Sequence, residues 1–387
     1  MDGELHHGEA WLSAAPTKGA RAAYACYFLL GAGVLAPWNA LLMAADYWAA
    51  VFPGRHVDRT FTICYLPACL LLIGAFIRWP RLLGHRARIL AGFGGFFALM
   101  LAVPMIDLIF VRDDGAPGPP AAYRLVLLTV LLVGVLDGTC QGAIFGDAAA
   151  LPAAYTHAIV GGTASSGALI SALRIATKAA LPPTRAGLRA STAAYFGISA
   201  ACSLACFGVY SAVLPRLGVV AYWRQRRRQD AACAALVWRL AAAVALIYIV
   251  TLAIFPGVLA EDTRNVELGD WYPLILMTTF NFADLIGKNL PLAKDPRHPA
   301  LLAWSAGRAL FLPAFLLATH LGAPAAAMGA LTLALGVSNG YLTAQVMTSA
   351  HDAAGSAAAA DMLENVMVFC MVAGLLAGAL LGWCWVL

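Results

Sequence analysis

Long apolar runs separated by short polar turns make up almost the whole chain. The runs are 19 to 28 residues long, and about 20 helical residues cross a hydrocarbon core of about 30 Å. The pattern predicts eleven transmembrane helices, at residues 22–45, 60–78, 87–111, 123–148, 157–181, 189–214, 236–258, 271–291, 301–321, 324–348 and 359–386. Because nearly every residue falls in a span or a short turn, the sequence predicts an all-α integral membrane protein without an attached soluble domain.

Basic residues predict the orientation of these spans. With the N-terminus in the cytoplasm, the cytoplasmic segments hold thirteen Lys and Arg residues and the outer segments hold seven. The positive-inside rule therefore favours a cytoplasmic N-terminus and, with eleven spans, an outside C-terminus. The basic run Tyr222–Arg228 divides the chain into six and five spans. We expect a cytoplasmic tail at 1–21, a six-helix bundle at 22–214, a basic cytoplasmic linker at 215–235 and a five-helix bundle at 236–387.

Composition agrees with a membrane protein and limits its partners. Hydrophobic residues make up 61% of the chain and charged residues 12%, against about 45 to 50% and about 25% in soluble domains. The net charge of +5 is accounted for by the basic cytoplasmic segments, so no nucleic-acid partner is expected. We interpret the basic run as an anchor rather than a lipid-headgroup or regulatory site. The nine cysteines lack CxxC spacing and predict neither disulfides nor a metal site, and no cofactor is expected.

A polar stripe runs along the eighth predicted span. At about 100° per residue, Asn281, Asp284 and Lys288 fall with Met277 on one face of a helix. An ionisable side chain at bilayer depth costs about 3 to 17 kcal/mol and nearly always faces a cavity or a partner. We therefore expect this face to line a polar site.

Two other spans carry aromatic or polar groups at mid-membrane depth. In span 1, Pro37 removes a helix hydrogen bond beside Trp38, and the mid-span position of Trp38 favours a pocket over an interfacial anchor. In span 4, Asp137 and Gln141 lie four residues apart on one face, and Asp147 follows. A Gln side chain both donates and accepts, which suits the edge of a nucleobase, but an interhelical hydrogen bond explains the same spacing.

Other small and charged residues have simpler interpretations. The glycine-rich stretch 161–167 of span 5 predicts close helix packing. Arg308, near the start of span 9, is expected to snorkel to the membrane surface. Asp361 and Glu364 open span 11 at the cytoplasmic side. They either pair with inner-loop arginines as a gate or favour the positive N-terminus of their helix, and both alternatives stay open.

Several motifs, in order along the chain, resemble those of the equilibrative nucleoside transporters. They are Pro37-Trp38-Asn39, Gln141-Gly-Ala-Ile-Phe-Gly146, Leu151-Pro152, Tyr155-Thr156, Phe280-Asn281-x-x-Asp284-x-x-Gly287-Lys288, Arg308-x-x-Phe311-x-Pro313 and Ser338-Asn339-Gly340-Tyr341-Leu342. The resemblance runs from about Arg21 to Leu387, and the short central loop is most similar to the plant members.

The resemblance implies a fold similar to the major facilitator group, alternating access and a central cavity for one nucleoside. It implies that Leu35 and Trp38 bound the pocket near the base and that Gln141 hydrogen-bonds the edge of the base. The expected partners are therefore a nucleoside such as adenosine or uridine and the lipid bilayer.

The resemblance also implies a ribose site on span 8. Asp284 and Lys288 would hold the ribose hydroxyls, Asn281 would organise that network and Met277 would pack beside it. Where the family commonly has Arg, this chain has Lys288, a point donor without the rigid fork of a guanidinium. We expect the pair to hold ribose more loosely than an arginine would.

Two carboxylates depart from the family pattern in span 4. Asp137 and Asp147 stand where many relatives have small or apolar residues. A carboxylate in the membrane interior is costly to keep charged and can exchange a proton. We hypothesise that uptake is stimulated by an inward proton gradient. Asp137 and Asp147 are the candidate proton carriers, and Asp137 is preferred because it shares the face of Gln141. The alternative is that Asp137 is permanently paired with a cation.

Other functions compete with nucleoside transport. A carrier of the same fold for nucleobases, cytokinins or another small polar solute is the second interpretation. An enzyme is not expected, because HExxH and Walker motifs do not occur in the sequence. A channel is disfavoured since no repeated filter sequence is present. The plasma membrane is the expected location, and a vacuolar membrane is the alternative.

Overall fold

The computed structural model describes most of the chain, as helices joined by short turns. The described residues are 18–80, 82–111, 116–182, 184–226, 234–259, 263, 265, 267–269, 271–293, 298–353 and 357–383. No β-strand occurs within those ranges. Part of the expected tail, at 1–17, and part of the expected linker, at 227–233, lie outside the described residues.

The helices begin and end close to the predicted spans. In chain order they are α1 (Ala20–Met43), α2 (Ala45–Val51), α3 (Val57–Arg78), α4 (His85–Phe110), α5 (Pro120–Ala148), α6 (Ala153–Ala180), α7 (Arg185–Gly208), α8 (Gly218–Arg226), α9 (Ala234–Ile254), α10 (Trp271–Asn289), α11 (His298–Gly307), α12 (Phe311–His320), α13 (Ala325–Asp352) and α14 (Ala357–Gly382). One π-helical turn (Val209–Val213) and one 3₁₀ turn (Leu214–Arg216) continue α7. Part of the predicted linker is therefore itself helical, as α8.

Nine helical segments in the described ranges are long and apolar enough to cross a membrane. They match the predicted spans 1 to 6 and 9 to 11, and the chain is a multi-pass membrane protein. The predicted spans 7 and 8 coincide with α9, whose apolar part is the shorter Trp238–Ile254, and with α10, which carries the polar stripe. The count of eleven spans and the orientation of the termini stay predictions.

The ninth predicted span is interrupted rather than continuous. Helix α11 ends at Gly307, a 3₁₀ turn covers Arg308–Leu310 and α12 begins at Phe311. Pro313 lacks the N–H that would bond to the carbonyl of Ala309, and the chain winds more tightly at this point. Arg308 lies at the break with only 3% of its surface exposed. The expectation that Arg308 snorkels to the membrane surface is therefore wrong.

Glycines bring two helix pairs into backbone contact. Helix α1 packs along α6, and α10 packs along α13. A Cβ atom on Gly162 would overlap the carbonyl of Phe28, and one on Gly340 would overlap the carbonyl of Asp284. The close packing predicted for 161–167 is confirmed. Because Gly340 brings the two backbones close together, short side chains of α13 reach the polar face of α10.

Contacts between described helices join the predicted six-helix bundle to the predicted five-helix bundle. Helix α6 contacts α10 and α13, and α14 contacts α3 and α5. A cavity lies among these helices, so its opposite walls belong to different predicted bundles. The boundaries of the two bundles stay a prediction.

Candidate functional site

A polar and aromatic cavity of about 120 Å³ lies among helices of both predicted bundles. Its wall includes seven residues singled out in the sequence, namely Leu35, Trp38, Asp137, Gln141, Asn281, Asp284 and Lys288. Met277 is buried on α10 but is not part of the wall, and Asp147, Asp361 and Glu364 also lie outside it. The structure therefore brings together residues from α1, α5 and α10 that are far apart in the sequence.

The polar face of α10 forms a buried ion pair. Lys288 Nζ lies 2.9 Å from Asp284 Oδ2, and it donates to Thr163 Oγ1 of α6 at 3.4 Å. Mutual neutralisation one helical turn apart is what makes two charges tolerable at bilayer depth. The pair offers a hydrogen-bond acceptor and a donor side by side.

Two amides flank this ion pair. Asn339 Nδ2 of α13 donates to Asp284 Oδ1 at 2.7 Å, and Asn281 Nδ2 donates to Ser171 Oγ of α6 at 2.7 Å. The resemblance assigned the organisation of this network to Asn281, but the amide that binds Asp284 is that of Asn339. Asn281 instead links α10 to α6, across the two predicted bundles.

Stacked rings form the aromatic wall of the cavity. The ring of Trp38 lies 4.2 Å from that of Tyr65, with 18° between their planes, and both rings line the cavity. Tyr65 donates its hydroxyl to Asp137 Oδ2 at 2.5 Å. This placement agrees with Trp38 as a pocket residue and not an interfacial anchor.

Two buried acceptors at the cavity wall have no partner. Within the described part of the chain, Asp137 Oδ1 and Gln141 Oε1 form no hydrogen bond. The other oxygen of Asp137 accepts from Tyr65 and from Cys69 Sγ, the latter at 3.4 Å. A buried acceptor without a donor costs stability unless a ligand or a proton supplies one. Neither atom has a donor among the described residues, although both belong to side chains of the cavity wall.

Asp147 has a different environment at one end of the bundle. Arg224 Nη2 of α8 lies 2.7 Å from both carboxylate oxygens of Asp147, and Tyr27 donates its hydroxyl to Oδ2 at 2.8 Å. Burial by itself lowers the pKa of Arg224, but the Asp147 carboxylate outweighs burial, and the pKa is raised. Asp147 is therefore a paired anion that holds α8 against α5.

A buried cluster joins α6, α13 and α14 at the end predicted to be cytoplasmic. His351 Nδ1 lies 3.0 Å from Glu364 Oε1, and Thr156 donates its hydroxyl to the same oxygen at 3.2 Å. His351 Nε2 lies 2.8 Å from the carbonyl of Leu151. A carbonyl only accepts, so Nε2 donates in this bond. Thr156 Oγ1 also lies 3.0 Å from His351 Nδ1, so the three side chains form one buried hydrogen-bonded cluster.

Asp361 also pairs with a histidine. Its Oδ1 lies 3.3 Å from His85 Nε2 of α4 and accepts from Asn365 Nδ2 at 2.8 Å. Among the described residues, the basic side chains within 4.0 Å of these carboxylates are His85 at Asp361 and His351 at Glu364. Arg81, Arg227, Arg228 and Arg297 lie outside the described residues, so pairing with the inner-loop arginines stays a prediction.

The chain matches the sequence profile of a known protein family over more than half of its length. The sequence profile described as Nucleoside transporter matches residues 127–234 and 230–387. The chain belongs to this family.

Plant members of the nucleoside transporter family match along nearly the full chain. The identity is 36% to Equilibrative nucleotide transporter 8 of Arabidopsis thaliana, over 95% of this chain and 96% of that protein. It is 33% to Equilibrative nucleotide transporter 1 of the same plant, over 96% and 88%. The resemblance drawn from the sequence motifs is confirmed.

Solved structures place the family in a known fold. XylE of E. coli, a proton:xylose symporter of the major facilitator superfamily, has a TM-score of 0.65 at 12% identity and covers 94% of this chain and 87% of its own. A bacterial homologue of the iron transporter ferroportin has a TM-score of 0.57 at 14% identity, with 93% and 92% covered. At these identities the likeness concerns the fold alone, and the expected major-facilitator fold is confirmed.

Several residues of this transporter's cavity were missed in the sequence. Tyr65 of α3, Tyr248 and Thr251 of α9 and Asn339 of α13 line it, and Arg308 lies directly behind Asn339. Asn339 and Arg308 occur in the family motifs, and this occurrence was the sequence signal that could have identified them as site residues. Tyr65, Tyr248 and Thr251 sit in apolar spans with no distinguishing spacing.

Proposed function

We propose that this member of the family carries nucleosides across a membrane by alternating access. The observation that supports the proposal is one cavity that contains both the Asp284–Lys288 ion pair and the Trp38–Tyr65 stack. Vicinal ribose hydroxyls donate and accept, and a carboxylate beside an ammonium complements both. An aromatic wall suits the flat apolar face of a base.

The other candidate residues are proposed either to contact the base or to hold the helices of the site in place. The unpartnered Oε1 of Gln141 accepts from an N–H on the edge of the base, and Leu35 covers the base beside Trp38. Asn281 holds α10 against α6 through Ser171. Met277, buried outside the wall, supports the same helix face.

A nucleoside fits the wall better than a nucleotide does, although the names of the Arabidopsis relatives mention nucleotides. A phosphate needs cations that are free to bind it. Among the described residues of the wall, Lys288 is the basic side chain, and it is already paired with Asp284. A phosphate group would compete with that carboxylate.

The test is uptake of labelled adenosine and uridine into proteoliposomes that contain the purified protein. We expect saturable uptake that excess nucleoside blocks and excess AMP does not, with the label recovered unchanged from the lumen, as for a carrier and not an enzyme. Asp284→Asn should reduce uptake about ten- to a hundredfold, because the ribose hydroxyls lose a charged acceptor and a hydrogen bond to a charged group contributes about 1.5 to 3 kcal/mol. Phe282→Leu, on the exposed side of α10, should retain uptake. If the protein takes up adenine, and Asp284→Asn does not change the rate of that uptake, the result would instead support the nucleobase carrier.

Proton coupling is proposed through Asp137 rather than Asp147. In the described part of the chain Asp137 has no cationic partner, whereas Asp147 is held by Arg224. A carboxylate at the cavity without a counter-ion can take up a proton with the substrate. On this proposal, an inward proton gradient at clamped membrane potential raises adenosine uptake above equilibrium. Uptake that only equilibrates would make the protein a facilitator.

We also propose that Asp361 and Glu364 belong to a gate at the predicted cytoplasmic end. Glu364 and His351 of the predicted five-helix bundle meet Thr156 and the Leu151 carbonyl of the other bundle. Opening that end by rocking the bundles would break these contacts. The proposed host is the plasma membrane, and imaging of a fluorescent fusion against plasma-membrane and vacuolar markers would distinguish the two locations.

A further inference from the structure

Arg308 is buried on the side of Asn339 that faces away from the cavity. Its Nη1 donates to the carbonyl of Ile247 at 2.7 Å, and its Nη2 donates to the carbonyl of Leu335 at 3.1 Å and to Thr251 Oγ1 at 3.0 Å. Arg308 does not line the cavity. Its guanidinium is therefore held in one position by two helices, α9 and α13, and does not contact a solute in the cavity.

This arrangement determines which way the Asn339 amide points. Asn339 Oδ1 accepts from Thr251 Oγ1 at 2.7 Å and lies 3.5 Å from Arg308 Nη1. A guanidinium can only donate, so the amide oxygen must face Arg308 and the amide nitrogen must face the other way. That nitrogen donates to Asp284 Oδ1 at 2.7 Å. The orientation of Asn339 therefore satisfies the Arg308 guanidinium on one side and the Asp284 carboxylate on the other.

Asp284 is consequently held from two sides. Asn339 occupies Oδ1, and Lys288 lies 2.9 Å from Oδ2. Within the described residues, Arg308 has no carboxylate at ion-pair distance, so its charge acts on Asp284 through the amide. If Lys288 turns toward a bound solute, Arg308 and Asn339 still stabilise Asp284 as an oriented anion.

We infer that Arg308 and Asn339 are positioning residues that set the Asp284 carboxylate for the ribose hydroxyls and so determine the preference for nucleosides that carry them. The inference rests on the proposed function, in which Asp284 binds ribose. It goes further by assigning that selectivity to a residue outside the cavity wall.

The experiment measures dissociation constants of the purified transporter for adenosine and for 2′,3′-dideoxyadenosine, which lacks both hydroxyls. Arg308→Lys keeps the positive charge but removes the planar guanidinium with its several fixed N–H donors. We expect it to weaken adenosine binding about tenfold, as when one hydrogen bond to a charged group is lost, and to leave dideoxyadenosine within about twofold. Equal weakening of the two ligands would indicate a merely structural role and overturn the inference.

A double-mutant cycle tests whether Arg308 acts through Asp284. In the Asp284→Asn background, Arg308→Lys should no longer change adenosine binding, because residues coupled through one network are not additive. Additive effects would overturn the inference. If Asp284→Asn alone leaves the preference for adenosine over dideoxyadenosine intact, the ribose contact of the proposed function fails instead.

A milder pair of variants covers the case in which Arg308→Lys does not fold. Thr251→Val removes the hydroxyl that bonds both Arg308 and Asn339. Thr332→Val is the control for loss of an equally buried hydroxyl, since Thr332 on α13 donates to Met328 of its own helix. Thr251 also lines the cavity, so the readout is the ratio of the two dissociation constants and not the affinity for either ligand. Only Thr251→Val should narrow the difference between the two ligands, by about fivefold. The same result from both variants would overturn the inference.

Discussion

Trp38 stacks on Tyr65 with ring centroids 4.2 Å apart, and the hydroxyl of Tyr65 is held by Asp137 at 2.5 Å. Trp38 belongs to α1 and Tyr65 to α3. The aromatic wall of the cavity therefore depends on the packing of these two helices and on the Asp137 carboxylate that holds Tyr65.

Replacing Tyr65 separates the stack from the hydrogen bond. Tyr65→Leu should weaken nucleoside binding about three- to tenfold, because an aromatic pair contributes about 0.5 to 1.5 kcal/mol beyond its buried area. Tyr65→Phe keeps the ring and should bind within about threefold of the unchanged protein. Equilibrium binding of labelled adenosine checks both. Equal losses in the two variants would show that the hydroxyl matters and the stack does not.

Neutralising Asp137 should remove the response to pH without removing transport. Asp137→Asn cannot take up a proton, so adenosine uptake should no longer rise as the outside pH falls, while exchange of internal for external adenosine continues. The measurement is uptake and exchange by the same proteoliposomes between pH 5.5 and 8. Asp147→Asn is the comparison, and we expect it to lower stability through loss of the Arg224 pair and to keep the pH response. A full pH response in Asp137→Asn would refute the proposal.

Glycine 340 is expected to be essential for the contact between α10 and α13. A Cβ at this position would overlap the backbone carbonyl of Asp284, so Gly340→Ala should force the helices apart and destabilise the protein by about 1 to 3 kcal/mol. Thermal unfolding in detergent, with adenosine binding, measures this. Gly329→Ala is the control on the same helix, because nothing lies within 4 Å of its Cβ position. Similar unfolding temperatures for the two variants would contradict the packing argument.

Loss of the Glu364 carboxylate should loosen the predicted cytoplasmic end. Glu364→Gln cannot form the ion pair with His351, so the contact of α14 and α13 with Thr156 and the Leu151 carbonyl is weakened. Hydrogen–deuterium exchange of peptides around residues 149–157 should become faster. Glu267→Gln, in an exposed turn, should leave that exchange unchanged. If hydrogen–deuterium exchange is the same in both variants, Glu364 does not stabilise the predicted cytoplasmic end and is not part of the proposed gate.

Features that depend on one helix alone could be predicted from the sequence. The stripe of Asn281, Asp284 and Lys288 follows from helical periodicity, and all three side chains line the cavity. The close approach of α1 and α6 follows from the small residues at 161–167. The interruption at Arg308–Leu310 was not predicted, although Pro313 was present as a signal, because the hydrophobic run continues through it.

Features that depend on two helices could not be predicted, and these decide the chemistry of the site. Asn339 binds Asp284 across 55 residues of sequence, and Tyr65 binds Asp137 across 72. Which side chains meet depends on the rotation and depth of each helix against its neighbour.

The sequence by itself determined that this protein crosses a membrane, that it belongs to a family of transporters and that one face of α10 is polar. Hydrophobic length, motif order and helical periodicity are properties of the sequence that do not depend on how the helices pack against each other. Only the tertiary structure decided that Asn339 and not Asn281 binds Asp284, and that Arg308 is buried. It also decided that, among the described residues, Asp147 has a cationic partner and Asp137 has none. Those outcomes depend on packing between helices, where a rotation of one helix by a single residue exchanges one partner for another.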